Sequence, residues 1–539
     1  MPRHDDVSPP LVIFEDEHLL VVSKPPGMNT HAPGPYAGEG LYDWLRRRAA
    51  RWEGLAIVQR LDKETSGLLV FPKTRRAAGD LTRQFAGRAI SKEYTLVTDR
   101  RPAREAFESH SWIRKGSDGF ESSPRAGEGL EARTRFQVTR EAGGRWWLRA
   151  EPLTGRTHQI RLHAAEHGVP ILGDVPHGGT DHFRLCLHAS RLGLKHPETG
   201  EGLMFQDETD FGEAPAVALR RALIEPGMTD AWRVVHGAAD GRPGWFVDRL
   251  GDFWLASVAE GQEAAPPGWL LERARKAGAR GVYRRWLQRH VRGTTPSEVA
   301  PVLWWGEPVA GAFPIRENGL TFLMDLSAGY SAGLFLDQRD NRRRLRVNWV
   351  GPDFPVCAGG WEGRSVLNVF AYTCGFSVAA AAGGARTASL DLSRRALDWG
   401  RRNFAANGMD PSEHEFLCGD AMDWFRRLAR KGRRFDVVLL DPPTFSQSRE
   451  RGVFRAESDY AGLVTAASAV LGEGGVLFAS TNAARLDPER FVGMVRDGLA
   501  GAGRPADREL YVPQPPDMPI TREEPGHLKT LWIRVGSSR

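Results

Sequence analysis

The strongest constraint on the fold lies in the second half of the chain, where short apolar segments alternate with segments of helical character. From about residue 316 onward the apolar segments are SVLNVFAY, TASLDLS, FDVVLLDPP and GGVLFAST, and helix-like stretches separate them. This alternation is typical of a doubly wound α/β fold, which binds its ligands at the carboxyl ends of the parallel strands. We therefore predict an α/β domain over residues 316–539, with its site at that edge of the sheet.

The rest of the chain has a different pattern and predicts two further domains. At 539 residues the chain is too long for one hydrophobic core, so about two or three domains are expected. Short alternating segments broken by Gly and Pro predict an α+β domain with a mixed, largely antiparallel sheet over residues 1–206. Residues 207–315 combine short strands with the helical stretch LLERARKAGARG, which predicts a small α+β domain. The predicted fold is therefore multidomain.

Composition limits the environment and the partners of the chain. Its four cysteines, Cys186, Cys357, Cys374 and Cys418, stand far apart, which argues against a disulfide framework or a zinc site and predicts no bound metal. The sequence shows neither a signal peptide nor a run long enough to span a bilayer, so we expect a cytoplasmic protein without a membrane partner. A net charge of +6 permits nucleic acid as a partner without establishing it. The abundance of arginine fits phosphate binding, but a GC-rich genome would produce the same arginine content.

An acidic turn and a short strand of the first domain form part of one candidate site. Asp62 in VQRLDKETSG follows a strand-like run and precedes Thr, Ser and Gly residues that hold turns. By itself Asp62 fits either a catalytic carboxylate or an acid that caps a turn. In SKEYTLVT, Lys92 and Tyr94 lie on one face of a predicted strand, because side chains two positions apart point the same way.

The third segment of this site, GRTHQIRLH at residues 155–163, is also interpreted as an alternating strand. One face would carry Arg156 and His158, and the other Gln159 and Arg161. An arginine near a catalytic carboxylate keeps it ionised, and an aromatic ring can stack on a base that has left its helix. The three segments are therefore predicted to form one site for RNA.

These motifs resemble those of the RluA-type pseudouridine synthases, which carry HRLDxxTSG, KxY and GRTHQIRxH segments in this order. The resemblance continues through PILGD at residues 170–174 and LHASRLGLKHPETGE at residues 187–201, and it covers about residues 11–206. It implies that Asp62 is the carboxylate that breaks the uridine glycosidic bond, that Arg161 is its ion-pair partner and that Tyr94 stacks on the flipped uracil. It implies no cofactor for this reaction.

The same resemblance leads to expected RNA contacts. Arg60 would fill the space that the base vacates, and further RNA contacts are expected from Lys92, Arg156, His158 and Gln159. Gln59 stands where these enzymes usually have histidine, which leaves open how the RNA is held at that position. Whether Asp62 attacks the sugar, attacks the base or removes a ribose proton is also open.

The α/β domain carries a second candidate site at its predicted strand ends. The strand at residues 366–370 runs into a short turn and an Ala-rich helix, so backbone donors of the turn can face a cofactor. Asp391 ends the next strand, where its carboxylate can accept hydrogen bonds from two ribose hydroxyls, and Asp420 follows near an adenine edge. The residues predicted to hold the cofactor are Asn368, Phe370, Tyr372, Thr373, Gly375, Asp391, Asp420 and Asp441.

DPPTFSQS is the most specific motif of this domain. Asp441 ends the strand FDVVLLD, Pro442 and Pro443 stiffen the backbone after it, and Phe445 offers a ring to an incoming base. The alternative is a strand that simply ends in prolines. In the context of the other motifs we predict catalytic roles for all four of these residues.

These residues resemble class I S-adenosylmethionine-dependent methyltransferases, which have a Rossmann-like fold, and most closely the RlmI and RlmK group that acts on large-subunit ribosomal RNA. The segment at residues 317–345 and the middle segment WRVVHGAADGRPGWFVDRLGD match that group as well, so the resemblance covers about residues 215–539. It implies S-adenosylmethionine as cofactor and RNA as partner, with ribosomal RNA favoured. The PUA domain usual in the group is missing, and the first domain stands in its place.

The methylated atom can be argued in part. Attack from carbon 5 of cytosine normally requires a cysteine thiolate, and neither DPPTFSQS nor ASTNAARLD contains cysteine. RlmI-like relatives have a cysteine in the second segment and RlmK-like ones do not, so a nitrogen target is predicted, with N7 of guanine first. Cys374 lies in the cofactor turn where relatives usually have glycine, and we interpret it as a small residue tolerated there rather than a catalytic one.

A run of arginines precedes the α/β motifs. Arg339, Arg342, Arg343 and Arg344 are interspersed with acids at suitable spacing, so they fit a helix face stabilised by i,i+4 pairs. A solvated face and contact with RNA phosphates are both open, and Arg339 and Arg343 are the predicted phosphate contacts.

The sequence as a whole predicts a bifunctional enzyme that isomerises uridine to pseudouridine and methylates a base in structured RNA. An alternative makes the first domain a docking module for an RNA methyltransferase; the intact Asp62, Tyr94 and Arg161 argue against it, and the missing PUA domain and Gln59 argue weakly for it. A methyltransferase for protein or a small molecule is a third hypothesis, which the neighbouring RNA-type domain disfavours. The modified nucleotides, any coupling of the two sites and the oligomeric state stay open.

Overall fold

The computed structural model describes residues 8–117, 119–262, 265–287, 300–329, 331–448 and 452–536. Three larger sheets, of ten, five and seven strands, follow one another along this part of the chain. The predicted combination of a mixed α+β part, a small α+β part and a Rossmann-like α/β part is confirmed. We keep residues 1–206, 207–315 and 316–539 as the proposed domain limits.

The first sheet is mixed and largely antiparallel. Its strands are β1 (Val12–Glu15), β2 (Leu19–Lys24), β3 (Ser66–Pro72), β4 (Ser91–Thr98), β5 (Ala106–Lys115), β6 (Phe120–Ser123), β7 (Leu130–Ala142), β8 (Arg145–Pro152), β9 (Leu187–Lys195) and β10 (Gly202–Gln206). Their order is β1-β2-β3-β9-β4-β8-β7-β5-β6, with β10 on β9. The helices are α1 (Leu41–Arg48), α2 (Arg75–Ala86) and α3 (Gln159–Glu166).

Strands β3 and β9 run parallel and meet where the TSG turn ends. At Gly67 the backbone has φ +110°, and a Cβ there would lie 2.4 Å from the carbonyl oxygen of Ala189. Only glycine accommodates both the conformation and the close approach. Gly67 thus fixes the loop that carries Asp62 against the centre of the sheet.

The segment GRTHQIRLH differs from its prediction as an alternating strand. His158 has a left-handed backbone (φ 57°), and helix α3 begins directly after it. The side chain of Gln159 stabilises this turn, because its Oε1 accepts hydrogen bonds from Thr154 Oγ1 (2.7 Å) and from the backbone N–H of Arg156 (3.0 Å). Its Nε2 donates to two groups of strand β7 at 2.9 Å. The side-chain amide of Gln159 makes all of these hydrogen bonds within the protein, and the prediction that Gln159 contacts RNA is wrong.

The middle part of the chain folds as a small sheet with one crossing helix. Its strands, in sheet order, are β11 (Ala231–His236), β12 (Trp245–Leu250), β13 (Phe253–Val258), β14 (Gly281–Trp286) and β15 (Val302–Gly306). Helix α4 (Pro215–Leu223) precedes the sheet, and helix α5 (Gly268–Lys276) connects the parallel strands β13 and β14. The fully buried Val247, Ala256 and Leu270 form part of the core between sheet and helix.

The last part of the chain is built around a seven-stranded sheet of order β22-β21-β20-β23-β26-β28-β27. Its strands are β20 (Ser365–Val369), β21 (Arg386–Asp391), β22 (Glu415–Cys418), β23 (Phe435–Leu440), β26 (Leu471–Thr481), β27 (Ala506–Pro513) and β28 (Lys529–Val535). The first five strands of that order are parallel, and β28 is antiparallel to both of its neighbours. The parallel strands therefore end at one edge of the sheet, as the sequence predicts.

Three hairpins and six helices accompany this sheet in the described part of the chain. The hairpins are β16 (Phe313–Glu317) with β17 (Leu320–Met324), β18 (Trp349–Gly351) with β19 (Phe354–Pro355), and β24 (Phe445–Ser448) with β25 (Gly452–Arg455). The helices are α6 (Arg339–Arg346), α7 (Gly375–Gly383), α8 (Arg394–Ala406), α9 (Ala421–Arg430), α10 (Ala456–Ser468) and α11 (Pro488–Gly501).

Helix α6 is buried, which contradicts a solvated face for the arginine run. Arg339 donates two hydrogen bonds to Asp517, at 2.9 and 2.6 Å, and Arg342 donates two to Glu317, both at 2.6 Å. Arg343 is 7% exposed and donates to the backbone carbonyl of Arg48, the last residue of helix α1. The solvated face is therefore absent, and the phosphate contacts predicted for Arg339 and Arg343 do not lie on an open helix surface.

In the described ranges, no helix has both the length and the apolar character that crossing a membrane requires. The same ranges contain no group of three or more His, Cys, Asp and Glu side chains that could hold a metal ion.

Two candidate active sites

Buried polar side chains hold the loop that carries Asp62. Lys24, at the end of strand β2, is fully buried, and its ammonium donates hydrogen bonds of 2.8 to 3.0 Å to three backbone carbonyls, including that of Lys63. Burial lowers the pKa of Lys24 to about 7. Thr30 exchanges hydrogen bonds of 2.9 and 3.1 Å with the backbone of Leu61. The backbone is thus fixed on both sides of Asp62.

Asp62 faces two basic side chains and keeps one side open to solvent. Nη1 of Arg161 lies 3.7 Å from Oδ2 of Asp62, and Nε2 of His158 lies 3.9 Å from the same oxygen. The side chain of Asp62 is 29% exposed, whereas that of Arg161 is 9% exposed. A ligand can therefore reach the carboxylate.

Arg161 is anchored by Asp174, whose role the sequence analysis does not identify. Nε and Nη2 of Arg161 donate hydrogen bonds of 2.8 and 2.5 Å to the two oxygens of the fully buried Asp174, and Nδ1 of His177 lies 2.9 Å from one of them. Burial alone would raise the pKa of Asp174, but the hydrogen bonds from Arg161 and His177 outweigh it and lower the pKa to about 2. The only signal in the sequence is the place of Asp174 at the end of PILGD.

Tyr94 and Lys92 complete the group of predicted residues at this site. Both lie on strand β4, as predicted. Burial raises the pKa of Tyr94, and the charge of Asp62 raises it further, so the phenol stays protonated at neutral pH. Burial lowers the pKa of Lys92, and its Nζ lies 3.7 Å from the position that a Cβ would take at Gly155. The structure thus brings the three predicted segments together.

The remaining predicted RNA contacts lie around this group. Arg60 is exposed beside Asp62, and Gln59 donates a hydrogen bond of 3.4 Å to the carbonyl of Leu68. The half-buried Arg156 donates a hydrogen bond of 3.0 Å to the carbonyl of Glu131. The ring of His158 is half-buried and lies 5.1 Å from that of His177. The side chain of Arg60 is the most accessible of these to a polyanion.

The second site begins at the turn after strand β20. Phe370, Tyr372 and Cys374 all have left-handed backbones, with φ of 62°, 45° and 62°. Alternation of such residues turns backbone N–H groups toward one side, a geometry that suits polar ligands. The carboxylate of Asp391 accepts hydrogen bonds of 2.8 Å from the backbone N–H groups of Tyr372 and Ser393. The turn and the end of strand β21 are therefore one rigid unit.

Side chains of the turn bind the preceding segment of the chain. The hydroxyl of Tyr372 donates a hydrogen bond of 3.0 Å to the carbonyl of Ser331, and Thr373 donates one of 2.5 Å to the carbonyl of Gly333. A Cβ at Gly375 would lie 2.8 Å from the side chain of Leu334. Residues 331–334 therefore cover the turn, and a larger residue at position 375 would require the side chain of Leu334 to shift.

Asn368 carries a buried polar atom without a partner. Its Nδ2 donates a hydrogen bond of 2.9 Å to Ser377 Oγ, but its Oδ1 is buried and has no hydrogen-bond partner among the described residues. Buried acceptors are normally satisfied, so this oxygen indicates a donor from a bound molecule. Asp420 begins helix α9, where its Oδ1 accepts a hydrogen bond of 3.1 Å from the N–H of Asp423.

Asp441 directly follows strand β23 and is partly buried. Its Oδ1 accepts hydrogen bonds from Nε2 of Gln338 (3.2 Å) and from the hydroxyl of Ser480. Burial raises the pKa of Asp441 to about 6, and these two hydrogen bonds only partly offset that effect. Gln338 and Ser480 are absent from the residues predicted from sequence, although Ser480 stands next to the last residue of strand β26.

The residues after Asp441 differ in exposure. Pro442 is buried, and Pro443 is exposed. Phe445 is 40% exposed. Thr444 donates a hydrogen bond of 2.6 Å to Oδ1 of Asn482, which joins the DPPTFS segment to the end of strand β26. Phe445 thus presents a partly exposed aromatic ring at this edge of the sheet.

Comparison with known families divides the chain into two parts. Residues 18–166 match the model of the RNA pseudouridylate synthase family. Residues 274–517 match the model of the S-adenosylmethionine-dependent methyltransferase family. The two matches contain Asp62 and Asp441 respectively.

Individual relatives agree with the second match. Ribosomal RNA large subunit methyltransferase I of Klebsiella pneumoniae subsp. pneumoniae is 32% identical over 323 residues, which are 59% of this chain and 76% of that protein. The enzyme of the same name from Escherichia coli O157:H7 is 32% identical over 320 residues, 58% of this chain and 76% of that protein.

Two solved structures are similar to part of this chain. A SAM-dependent methyltransferase from Agrobacterium tumefaciens has 21% identity and a TM-score of 0.42, and the match covers 57% of this chain and 91% of that one. Human RNA pseudouridylate synthase domain containing 4 has 23% identity and a TM-score of 0.32, with 39% and 92% covered.

Proposed function

The chain belongs to the S-adenosylmethionine-dependent methyltransferases and carries an RNA pseudouridylate synthase domain ahead of the methyltransferase domain, and from this premise we propose that it has two active sites that modify RNA. The first isomerises uridine to pseudouridine. The second transfers a methyl group to a base of structured RNA, and the names of the relatives favour ribosomal RNA of the large subunit. A ribosomal substrate would place the protein in the cytoplasm.

The pairing of Asp62 with an anchored arginine carries the proposal for the first site. Arg161, held by Asp174, orients the carboxylate of Asp62 toward the open side of the site. There Asp62 assists cleavage of the bond between ribose C1′ and uracil N1. The uracil turns, a bond forms between C1′ and carbon 5, and carbon 5 loses its proton while N1, released from C1′, takes one up. The protonated Tyr94 stacks on the base during this exchange.

The residues of the second site fit S-adenosylmethionine, the cofactor of this family. The unpartnered Oδ1 of Asn368 and the carboxylate of Asp391 are acceptors for the hydroxyl and amino groups of such a molecule. Asp420 would accept at the adenine. When bound, the cofactor supplies an electrophilic methyl group.

The target base would be held by Asp441 and Phe445. Asp441 can accept a hydrogen bond from an amino or imino group of the base, because only its Oδ1 is engaged by Gln338 and Ser480. Phe445 stacks on the face of the base. Pro442 and Pro443 keep the backbone between the two side chains rigid.

N7 of guanine is the atom that this site suits best. Its lone pair attacks directly, so neither a covalent enzyme adduct nor removal of a ring proton is needed. The segments DPPTFSQS and ASTNAARLD supply no thiol. Cys374 is fully buried, and burial raises the pKa of its thiol to about 12. A thiolate for attack on carbon 6 of cytosine is therefore not provided by these residues.

Nucleoside analysis of unmodified ribosomal RNA tests both sites. The RNA is incubated with the full chain, with and without S-adenosylmethionine, and is then digested and separated before mass spectrometry. We expect pseudouridine in both incubations and 7-methylguanosine only with the cofactor. Asp62→Asn should abolish the first product alone and Asp441→Asn the second alone. Asp80→Asn, at a surface carboxylate paired with Arg83, serves as control and should change neither.

The outcomes separate this proposal from its alternative. A methylated nucleoside without pseudouridine, across several RNA substrates, would identify the first domain as a docking module. A methylated cytosine in place of guanosine would keep the enzyme class and overturn the proposed target atom.

A further inference from the structure

A small cleft lies where helix α1 of the first domain meets the end of helix α4 and one face of helix α6. Its lining includes Arg48, Arg339, Arg343 and Arg346, and the one carboxylate among its described lining residues is Glu225. The cleft has a volume of about 30 Å³, more than the roughly 10–15 Å³ that one water needs. We call it the Arg48 cleft. It contains neither Asp62 nor Asp441.

Arg48 has a feature that the fold itself does not explain. Its guanidinium stacks on the ring of Trp44 at 4.8 Å, and its Nε is buried without a hydrogen-bond partner among the described residues. Burial lowers the pKa of Arg48 to about 10; Asp340 raises it, whereas Arg339 lowers it further. A buried polar group without a partner usually indicates a water or an ion that the protein chain does not supply.

The carboxylates near the cleft are already engaged. Both oxygens of Asp517 accept hydrogen bonds from Arg339. Asp340 accepts from the indole of Trp44 at 3.3 Å and from Nε of Arg339, also at 3.3 Å. Glu225 accepts from the backbone N–H of Gly227 at 3.2 Å. These acids therefore hold other donors and leave Nε of Arg48 without an acceptor.

Arg343 and Arg346 add positive charge on one side of the cleft, whereas Arg339 is paired with Asp517. Residues 339, 343 and 346 follow the i, i+4, i+7 spacing of a single helix face. Arg343 donates to the carbonyl of Arg48, and Arg346 donates to the carbonyl of Asn318, so both guanidinium groups are held in place by the backbone. Preorganised guanidinium groups around a small volume are the arrangement that binds phosphate in a forked, two-bond geometry.

We propose that the Arg48 cleft binds a phosphate group, with Arg48 as its principal ligand. The group belongs either to a small free anion or to an RNA backbone that reaches the mouth of the cleft. This site goes beyond the two proposed activities and does not depend on them, because its residues take part in neither reaction. Its place between helices α1 and α6 makes it a ligand site at the junction of the two catalytic parts.

Thermal unfolding of the full chain in inorganic phosphate tests the site directly. Potassium phosphate replaces potassium chloride at constant ionic strength and pH, and the unfolding midpoint is followed across the titration. A ligand of the folded state raises this midpoint in a saturable manner. The wild type and Arg83→Gln, at an exposed arginine of helix α2, should show the same rise. Arg48→Gln should weaken the apparent phosphate affinity by about tenfold or more, since it removes a charge-assisted fork.

Two further results complete the test. Without phosphate, Arg48→Gln should unfold at the wild-type midpoint or above it, because it removes a partly buried charge whose Nε lacks an acceptor. Arg48→Lys keeps the positive charge but not the two-bond geometry of the guanidinium. The rise of its unfolding midpoint with phosphate should therefore lie between those of the wild type and Arg48→Gln. If Arg48→Gln does not fold, the comparison of Arg48→Lys with the wild type still tests whether the cleft binds phosphate. An identical phosphate response in wild type and both Arg48 variants, or no saturable response in the wild type, would overturn the site.

RNA binding distinguishes the two sources of the phosphate. If an RNA backbone supplies the group, Arg48→Gln should weaken binding of a ribosomal RNA fragment and reduce the slope of log affinity against log salt by about one. Inorganic phosphate should then compete with the RNA. If a small anion supplies it, RNA binding should be unchanged while the phosphate response is lost. Because these readouts need no catalysis, a protein that binds phosphate but modifies no RNA would refute the proposed function and leave this site intact.

Discussion

Trp44 and Asp340 are 296 positions apart in the chain, and the indole N–H of Trp44 donates a hydrogen bond of 3.3 Å to the carboxylate of Asp340. Trp44 belongs to helix α1 of the synthase domain, and Asp340 to helix α6 of the methyltransferase domain. Helix α6 follows directly on Gln338, which donates to Asp441. The synthase domain therefore supports an element that positions a side chain of the methyltransferase site.

Replacement of Trp44 by phenylalanine should affect methyl transfer from a distance. Trp44→Phe keeps an aromatic ring but removes the donor to Asp340, at a cost of about 1–3 kcal/mol for a hydrogen bond to a charged group. We expect a lower unfolding midpoint and a methyl-transfer rate reduced by about threefold to tenfold, with pseudouridine formation unchanged.

Trp52→Phe is a matched control for this variant. Trp52 is also buried and donates a hydrogen bond of 2.8 Å to the carboxylate of Glu15, but both residues lie within the synthase domain. It should lower the unfolding midpoint similarly and leave methyl transfer at the wild-type rate. Equal methyl-transfer rates in the two variants would show that the interface does not support the site.

Asp174→Asn should impair pseudouridine formation although Asp174 does not line the open side of the site. The change leaves the buried Arg161 without its bidentate partner, and broken buried ion pairs cost about 3–5 kcal/mol. Asp62 then loses an oriented cation, and we expect the rate to fall by about tenfold or more. The control Asp80→Asn should have the wild-type rate.

The pH dependence of this effect follows from the pKa of Asp174. Its folded-state pKa of about 2 lies below the ordinary value of 3.8, so the stabilisation is fully present above about pH 4 and is lost as pH falls through about 2. The difference in unfolding midpoint between wild type and Asp174→Asn should therefore be large at pH 7 and should shrink below pH 4. A difference that stays constant across this range would contradict the lowered pKa.

The sequence predicts the convergence of Asp62, Tyr94 and Arg161 because each lies in a motif whose order and spacing are specific. It does not predict that GRTHQIRLH contains a helix, since the polar and apolar residues alternate as they would in a strand. The turn depends instead on hydrogen bonds from Gln159 to strand β7, which lies 25 or more residues earlier. Such a partner is invisible in a local pattern.

The prediction of a solvated face for the arginines of helix α6 is wrong for the same physical reason. The local sequence shows several positive charges, which are usually solvated. Their burial depends on Glu317 and Asp517, and on the carbonyl of Arg48 from another domain. By contrast, the strand ends at Asp391 and Asp441 are predictable because an apolar run that stops at an acid is a local signal.

Asp441→Asn should stabilise the cofactor-free protein at neutral pH while it abolishes methyl transfer. The folded-state pKa of Asp441 is raised from 3.8 to about 6, so the favourable contribution of the protonated carboxyl is present below about pH 4 and is lost as pH rises through about 6. Above that pH the buried charge costs about 2–3 kcal/mol. We expect the unfolding midpoint of Asp441→Asn to exceed that of the wild type at pH 7.5 and to match it at pH 4.

The control for this experiment is Asp80→Asn, whose midpoint should follow the wild type at both pH values. An Asp441→Asn protein that is less stable than the wild type at pH 7.5 would mean that the charged carboxylate is well solvated or paired in the folded state.

Cys374→Ala should retain methyl transfer. The thiol is fully buried in the left-handed turn before helix α7, where a Cβ at Gly400 would lie 2.2 Å from its Sγ, so it fills space between two helices. Burial raises the pKa of the thiol to about 12, and a protonated thiol is a poor nucleophile. We expect a methyl-transfer rate within about twofold of the wild type and a cost of about 1 kcal/mol in stability from the lost sulfur. Cys418→Ala, at an exposed cysteine, is the control and should change neither quantity. If Cys374→Ala binds S-adenosylmethionine normally but transfers no methyl group, the thiol has a catalytic role and the argument for a nitrogen target loses its basis.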